Sequence, residues 1–126
     1  PMRTAYCAAK HGLIGYADAL RSEVAGQGVT VLVVAPGSVK TNVSRNALNA
    51  DGSVRGMSDA AIENGIDPHE VASRIWDAVA DGQREIVIAE GIEASIPVLR
   101  AQDPEKLFDL VEAMVADGYA QKISAQ

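Results

Sequence analysis

The chain has 126 residues, 48% of them apolar and 22% charged, with a formal net charge of −6. Its apolar content argues against a disordered chain, and its length suits one compact domain or part of a larger one. The acidic balance argues against nucleic-acid binding and against attachment to an anionic membrane surface, because both need basic patches. The one cysteine, Cys7, cannot form an internal disulfide, so we expect a reducing, cytoplasmic environment.

The first predicted element is a long helix over residues 4–25. Its apolar residues recur at three- and four-residue steps, as on one helix face, at Leu13, Ala17, Leu20 and Val24. Gly26 and Gly28 predict the end of this helix, because glycine is common just past a helix C-terminus. We expect Cys7, within the helix, to be a small buried packing residue.

A nearly unbroken apolar run at residues 29–35 predicts a strand. Strands buried on both faces have this composition, and they occur in parallel sheets that helices cover. Pro36-Gly37 ends the strand. The polar stretch 41–66 that follows predicts a long loop, and a loop of this length within a compact domain is usually a lid or a binding loop.

Asp67-Pro68-His69-Glu70 predicts a helix start. Asp67 can cap the helix, Pro68 suits its first position and Glu70 completes a capping box. The remaining predicted elements are the rest of this helix to residue 81, a strand at 85–89 and a last helix at 103–117. Two strands joined through a helix form a right-handed parallel βαβ unit, so the fold class is α/β. Two strands make a poor sheet alone, and we therefore expect an incomplete sheet.

Tyr6 and Lys10 are the candidate catalytic residues of the first helix. They are four residues apart, and so lie on the same helix face one turn from each other. A cation beside a phenol stabilises the phenolate and brings proton transfer within reach. Such a pair can protonate a carbonyl oxygen as hydride arrives, or deprotonate an alcohol as hydride leaves. The spacing alone is also common by accident, and by itself it favours a structural interpretation.

The segment Tyr6-Cys7-Ala8-Ala9-Lys10 resembles the Y-x-A-[AS]-K segment of classical short-chain dehydrogenases/reductases. The family's other landmarks follow in its order: a strand ending in Pro36-Gly37, then Thr41, a lid, and an Asp67-Pro68 helix leading to a last strand. The resemblance covers about residues 1–90. Residues 42–59 further resemble the "member seven" branch of the dehydrogenase/reductase group.

The resemblance implies the C-terminal half of an NAD(P)-dependent oxidoreductase that interconverts hydroxyl and carbonyl groups on a small molecule. Tyr6 would be the acid/base, and Lys10 would hold the nicotinamide ribose and tune the phenol. The backbone around Val39 would meet the nicotinamide carboxamide, with Thr41 near the carboxamide or the pyrophosphate. Pro36-Gly37 would shape the turn at the end of the strand, where open α/β sheets bind ligands. The choice between NAD and NADP depends on an earlier strand of the family and stays open.

The implied fold is the C-terminal part of a Rossmann-like, doubly wound parallel sheet flanked by helices. Within a partial domain at 1–126, we expect a catalytic helix and Pro-Gly strand at 1–40, a lid at 41–66, a last helix and strand at 67–90, and a C-terminal extension at 91–126. The family's Gly-rich phosphate-binding segment has no counterpart in this sequence, and its catalytic serine would precede residue 1. We therefore expect the chain to be inactive alone.

The resemblance also implies a homodimer or homotetramer, because the family's catalytic helix packs against its symmetry mate. Small residues on this helix would permit close approach, at Ala8, Ala9, Gly12, Gly15 and Ala19. A second hypothesis is a non-catalytic binding or dimerisation module derived from the same fold. The two histidines have no carboxylate at ligand spacing, so we predict no metal site.

Overall fold

The computed structural model describes residues 3–119. Its helices are α1 (Thr4–Val24), α2 (Ala60–Glu63), α3 (Pro68–Ala80), α4 (Gly91–Gln102) and α5 (Pro104–Ala116), and its strands are β1 (Val33–Pro36) and β2 (Glu85–Ile88). The two strands pair in a small parallel sheet flanked by helices. This confirms the predicted α/β class and the expected Rossmann-like arrangement of strand, helix and parallel strand.

The chain divides into two compact units. The first contains residues 1–33 and 95–126, and so includes α1, most of α4 and α5. The second contains residues 34–94, and so includes nearly all of β1 together with the 41–66 segment, α3 and β2. Among the described residues, no helix is long and apolar enough to cross a membrane.

The second unit is organised around a small apolar core. Ile88 of β2 is 0% exposed, and Ile66 and Val71 are buried with it. Four partly buried residues pack against these three: Val34, Val39, Ile75 and Ile86. Burying one Ile side chain contributes about 1.5–3 kcal/mol. The core therefore joins both strands, the start of α3 and the segment just after β1.

Helix α3 begins as predicted. The Asp67 carboxylate accepts a hydrogen bond from the His69 N–H at 2.8 Å, and Pro68 occupies the first turn. The Glu70 carboxylate, expected to complete a capping box, lies 3.7 Å from Arg74 one turn further on. The helix ends at Ala80, and Gly82 takes a left-handed conformation with φ of 66° just beyond it. Glycine has no Cβ to oppose this conformation.

The first strand is shorter than predicted and starts four residues later. The apolar run predicted a strand over 29–35 buried on both faces, whereas β1 spans Val33–Pro36 and is half-buried, and Val29 is 51% exposed. Within residues 3–119, β1 pairs with β2 alone, and β2 has four residues. A strand extends only as far as a neighbour supplies hydrogen bonds, so the short partner limits it.

Two further regions contain more structure than the sequence predicted. The predicted lid holds the short helix α2 and an antiparallel bridge between Leu48 and Val54. Helix α4 was not predicted within the C-terminal extension, and it forms although Pro97 lies inside it. Helix α5 was predicted, and the Asp103 carboxylate caps it by accepting from the Lys106 N–H at 3.1 Å.

Candidate active site

The predicted site residues form two groups, one in each unit. The first unit contains the pair on α1, Tyr6 and Lys10, and the second contains the residues around the end of β1, Pro36, Gly37, Val39 and Thr41.

The Tyr6–Lys10 pair has the geometry that its spacing predicts. The Lys10 Nζ lies 5.4 Å from the centroid of the Tyr6 ring. An ammonium at this distance over an aromatic ring is attracted by the negative face of the ring. Tyr6 is 56% exposed, so its hydroxyl is open to a ligand. The helical repeat alone places a cation beside an accessible phenol, which is the arrangement that acid/base work by tyrosine requires.

Two neighbours of the pair interact within the helix itself. The His11 Nδ1 lies 2.9 Å from the Cys7 carbonyl oxygen, one turn earlier. Cys7 is exposed, so the expectation that it is a buried packing residue is wrong. This part of α1 is covered less than a helix packed against a complete sheet would be. Leu13 and Tyr16 on the same helix are also exposed.

Gly37 occupies a position that only glycine fits. Its N–H donates to the Ile88 carbonyl at 2.9 Å, which continues the pairing of β1 with β2. A methyl group added at Gly37 would overlap the Glu93 carboxylate and lie 2.9 Å from the Ala89 Cβ. Glycine follows Pro36 for a steric reason in this chain, because the end of β1 passes close to the segment after β2.

Glu93, in the first turn of α4, binds Ser38, the residue after Gly37, with both carboxylate oxygens. The Ser38 N–H donates to one oxygen at 2.7 Å, and the Ser38 hydroxyl donates to the other at 2.8 Å. Hydrogen bonds to a charged acceptor are roughly twice as strong as neutral ones. Sequence reasoning missed Glu93, because the two residues are 55 positions apart and α4 was not predicted.

Val39 is fixed from the other side by the end of the lid. Ile66 donates its N–H to the Ser38 carbonyl and accepts from the Lys40 N–H, both at 3.0 Å, so Val39 and Ile66 form a parallel bridge. Backbone groups of successive residues in an extended segment point in opposite directions. The N–H and carbonyl of Val39 therefore point away from Ile66, and can meet an amide-like group such as a carboxamide.

Thr41 follows in an exposed turn, where its hydroxyl oxygen accepts from the Val43 N–H at 3.4 Å. Thr41 also lines an open cavity of about 440 Å³ in the second unit. The charged groups around this cavity are mixed in sign, with Lys40 and Arg45 facing Glu63 and Asp67. The hydroxyl of Thr41 can still donate to an acceptor oxygen, as a carboxamide or a phosphate offers.

The lid is ordered by Asp59. This carboxylate accepts from the hydroxyl of Ser44, which is 7% exposed, and from the Arg55 guanidinium at 2.7 Å. Asp51 shapes the hairpin tip, because it accepts from the Ser53 hydroxyl at 2.6 Å and the Ser53 N–H at 2.9 Å. These bonds favour the ionised carboxylate and lower the pKa of Asp51. Across residues 3–119, no three His, Cys, Asp or Glu side chains cluster as a metal site would need.

Comparison with known proteins identifies the family. The family model for short chain dehydrogenases matches residues 1–52, which contain the Tyr6–Lys10 pair and the Pro36-Gly37 turn. A relative from Xenopus laevis, "Dehydrogenase/reductase SDR family member 7B", is 36% identical over 113 residues, which cover 90% of this chain and 35% of the relative. This chain belongs to the short-chain dehydrogenase/reductase family. The predicted resemblance is thereby confirmed.

Other members of the same branch match this dehydrogenase/reductase chain. The member 7B protein of Danio rerio is 44% identical over 89 residues, covering 71% of the chain and 29% of the relative. A "Dehydrogenase/reductase SDR family protein 7-like" from Drosophila melanogaster is 36% identical over 96 residues, covering 76% of the chain and 29% of the relative. The chain spans about a third of the length of the curated relatives it matches. No solved structure matches it.

Proposed function

We propose that this chain carries the acid/base residues and the nicotinamide-facing turn of an NAD(P)-dependent oxidoreductase that interconverts a hydroxyl and a carbonyl group on a small molecule. The observation that carries the proposal is the Lys10 ammonium 5.4 Å from the ring of an exposed Tyr6. Membership of the family supports it, since the relatives are named as dehydrogenases/reductases.

Tyr6 provides the proton in this reaction. In reduction its hydroxyl donates a proton to the substrate's carbonyl oxygen, and in oxidation its phenolate accepts the proton of the substrate's hydroxyl. The positive charge of Lys10 stabilises the phenolate in both directions, and the same ammonium can donate to ribose hydroxyls. A nicotinamide held beside this pair would supply or accept the hydride.

The turn after β1 provides the binding groups for the nicotinamide. The outward N–H and carbonyl of Val39 suit the carboxamide, because a primary amide carries both a donor and an acceptor. The hydroxyl of Thr41 suits the carboxamide or a phosphate oxygen. Pro36 and Gly37 set the path of the backbone, and the tight fit at Gly37 supports their role in shape rather than in direct contact.

We further propose that the chain is a C-terminal part of this enzyme and is inactive alone, because its sequence has no counterpart of the family's Gly-rich phosphate-binding segment. We propose a homodimer or homotetramer formed through α1. The open space around this helix supports that assembly, since a methyl group added at Gly12 or Gly15 would meet no atom within 4 Å.

Fluorescence titration with NADH and NADPH tests the proposed function. We expect saturable binding by the full-length protein and none by the 126-residue chain alone. A full-length protein that binds neither nucleotide yet assembles through α1 would instead support the non-catalytic dimerisation module. The same titration resolves the preference between NAD and NADP.

A further inference from the structure

Ser38 is held at three points, two on its backbone and one on its side chain, by two separate parts of the second unit. Glu93 accepts from both the N–H and the hydroxyl, while Ile66 donates to the carbonyl at 3.0 Å. Gly37, the residue before, bonds to Ile88 at 2.9 Å. Three backbone groups just before Val39 are therefore hydrogen-bonded to a partner: the Gly37 N–H, the Ser38 N–H and the Ser38 carbonyl. The Gly37 carbonyl is the exception.

Glu93 is the one charged group among these partners. Ile66 and Ile88 contribute backbone bonds, and the bond from the Ile66 N–H could be made by any residue there except proline. Glu93 contributes a side chain, and it reaches the turn from the first turn of α4, where the helix dipole also favours a carboxylate. One of its oxygens occupies the space that a side chain at residue 37 would need, so the glycine and the glutamate fit each other.

We propose that Glu93 is a positioning residue for the nicotinamide end of the site, an inference that rests on the function proposed above. By holding both Ser38 donors, the Glu93 carboxylate fixes the backbone just before Val39 and presents the outward N–H and carbonyl of Val39 to the carboxamide. Glu93 does not touch the cofactor or the substrate. Because Glu93 already holds the turn in place, the turn loses less conformational entropy when the nicotinamide binds.

A carboxylate suits this role better than its closest neutral analogue. Two donors on one residue require two acceptors, and the two oxygens of Glu93 provide them. A glutamine has the same shape but one acceptor oxygen and a donor amide, so it can satisfy the Ser38 N–H or the hydroxyl in its present orientation, but not both. Glu93→Gln is therefore the conservative variant, and it should restore part of what Glu93→Ala loses.

The test measures NADH and NADPH affinity and steady-state kinetics of the full-length protein with Glu93→Ala, Glu93→Gln and Ser38→Ala. Glu90→Ala is the matched control, because Glu90 is an exposed carboxylate three residues earlier and its loss changes the net charge equally. We expect Glu93→Ala to raise the cofactor Kd and KM about tenfold, with kcat at saturating cofactor changed by no more than a few-fold. Glu93→Gln should fall between Glu93→Ala and the wild type, and Glu90→Ala should match the wild type.

Ser38→Ala keeps the test decisive if Glu93→Ala fails to fold. It removes only the hydrogen bond from the Ser38 hydroxyl to Glu93 and should raise the cofactor Kd several-fold. In the double variant with Glu93→Gln, loss of this hydroxyl should raise the cofactor Kd no further than Glu93→Gln alone does. A cofactor Kd that stays at the wild-type value in Glu93→Gln and Ser38→Ala, with only the melting temperature lowered, would overturn the positioning role and leave the proposed function intact. A wild-type protein that binds no nicotinamide cofactor would overturn both.

Discussion

The Tyr6–Lys10 pair and the turn around Ser38 differ in how the chain assembles them. The pair is four residues apart on one helix, so the helical repeat brings the two side chains together. The turn is held by Glu93, which is 55 positions away, and by Ile66 and Ile88. The first arrangement needs only that α1 is helical, whereas the second needs β1, β2, the end of the lid and α4 all in place.

The Tyr6–Lys10 pair and the turn around Ser38 should therefore respond differently to mutation. A substitution in α1 that preserves the helix leaves the geometry of the pair unchanged, so its effects should appear in turnover. A substitution in the second unit can displace the turn through several neighbours, so its effects should appear in stability and cofactor affinity. Three predictions test this contrast, in order of decreasing expected effect.

Tyr6→Phe should give the largest effect. In the full-length protein it removes the proton donor and keeps the ring that Lys10 faces, so turnover should fall by roughly 10²–10⁴ while the cofactor Kd changes little. Steady-state kinetics and a cofactor titration measure the two quantities. Tyr16→Phe on the same helix is the control, since Tyr16 is 64% exposed and has no proposed role. Unchanged turnover in Tyr6→Phe would remove Tyr6 from the mechanism.

Gly65→Ala should destabilise the second unit. A methyl group there would lie 2.5 Å from the Ser38 carbonyl oxygen and 2.9 Å from the Val39 nitrogen, and backbone atoms cannot rotate out of the way. We expect a loss of roughly 1–3 kcal/mol in the free energy of unfolding, measured by denaturant titration.

Gly26→Ala is the matched control for Gly65→Ala, because its added methyl group would meet no atom within 4 Å. Its unfolding free energy should equal or slightly exceed that of the wild type. Equal free energies of unfolding in the two variants would mean that Gly65 is not tightly packed against the Ser38 and Val39 backbone.

Asp67→Ala should have the smallest effect of the three. It removes the 2.8 Å bond to the His69 N–H at the start of α3, and we expect a loss of about 1 kcal/mol in the free energy of unfolding. Asp67→Asn keeps an acceptor oxygen and should stay within a few tenths of a kcal/mol of the wild type. A loss of equal size in both variants would indicate that the charge of Asp67 matters rather than its capping bond.

The sequence predicted the features that depend on neighbouring residues. The Asp67-Pro68 start predicted α3 because capping and the fixed φ of proline act within a few residues. The end of α3 near residue 81 was also predicted, and Gly82 follows it in a left-handed conformation. The Tyr6–Lys10 contact follows from helical spacing, and the family landmark Pro36-Gly37 was found at the end of a strand.

Features that depend on distant partners were missed or misjudged. The apolar run predicted a strand from residue 29, but β1 begins at Val33 because β2 is short. Helix α4 was not predicted, and it forms with Pro97 inside it. The polar lid read as a loop, although Asp59 orders it through Ser44 and Arg55. The start of β1 and the order of the lid therefore depend on partners elsewhere in the sequence, which are β2 for the strand and Asp59 for Ser44.

By itself, the sequence determined the α/β class, the helix boundaries marked by caps and glycines, and the side-by-side placement of Tyr6 and Lys10, because each depends on interactions within about one helical turn. Only the tertiary structure decided where β1 starts, why residue 37 must be glycine, and which residue holds Ser38. Those outcomes depend on hydrogen bonds and close packing between segments tens of residues apart, and no pattern of neighbouring residues encodes such pairings.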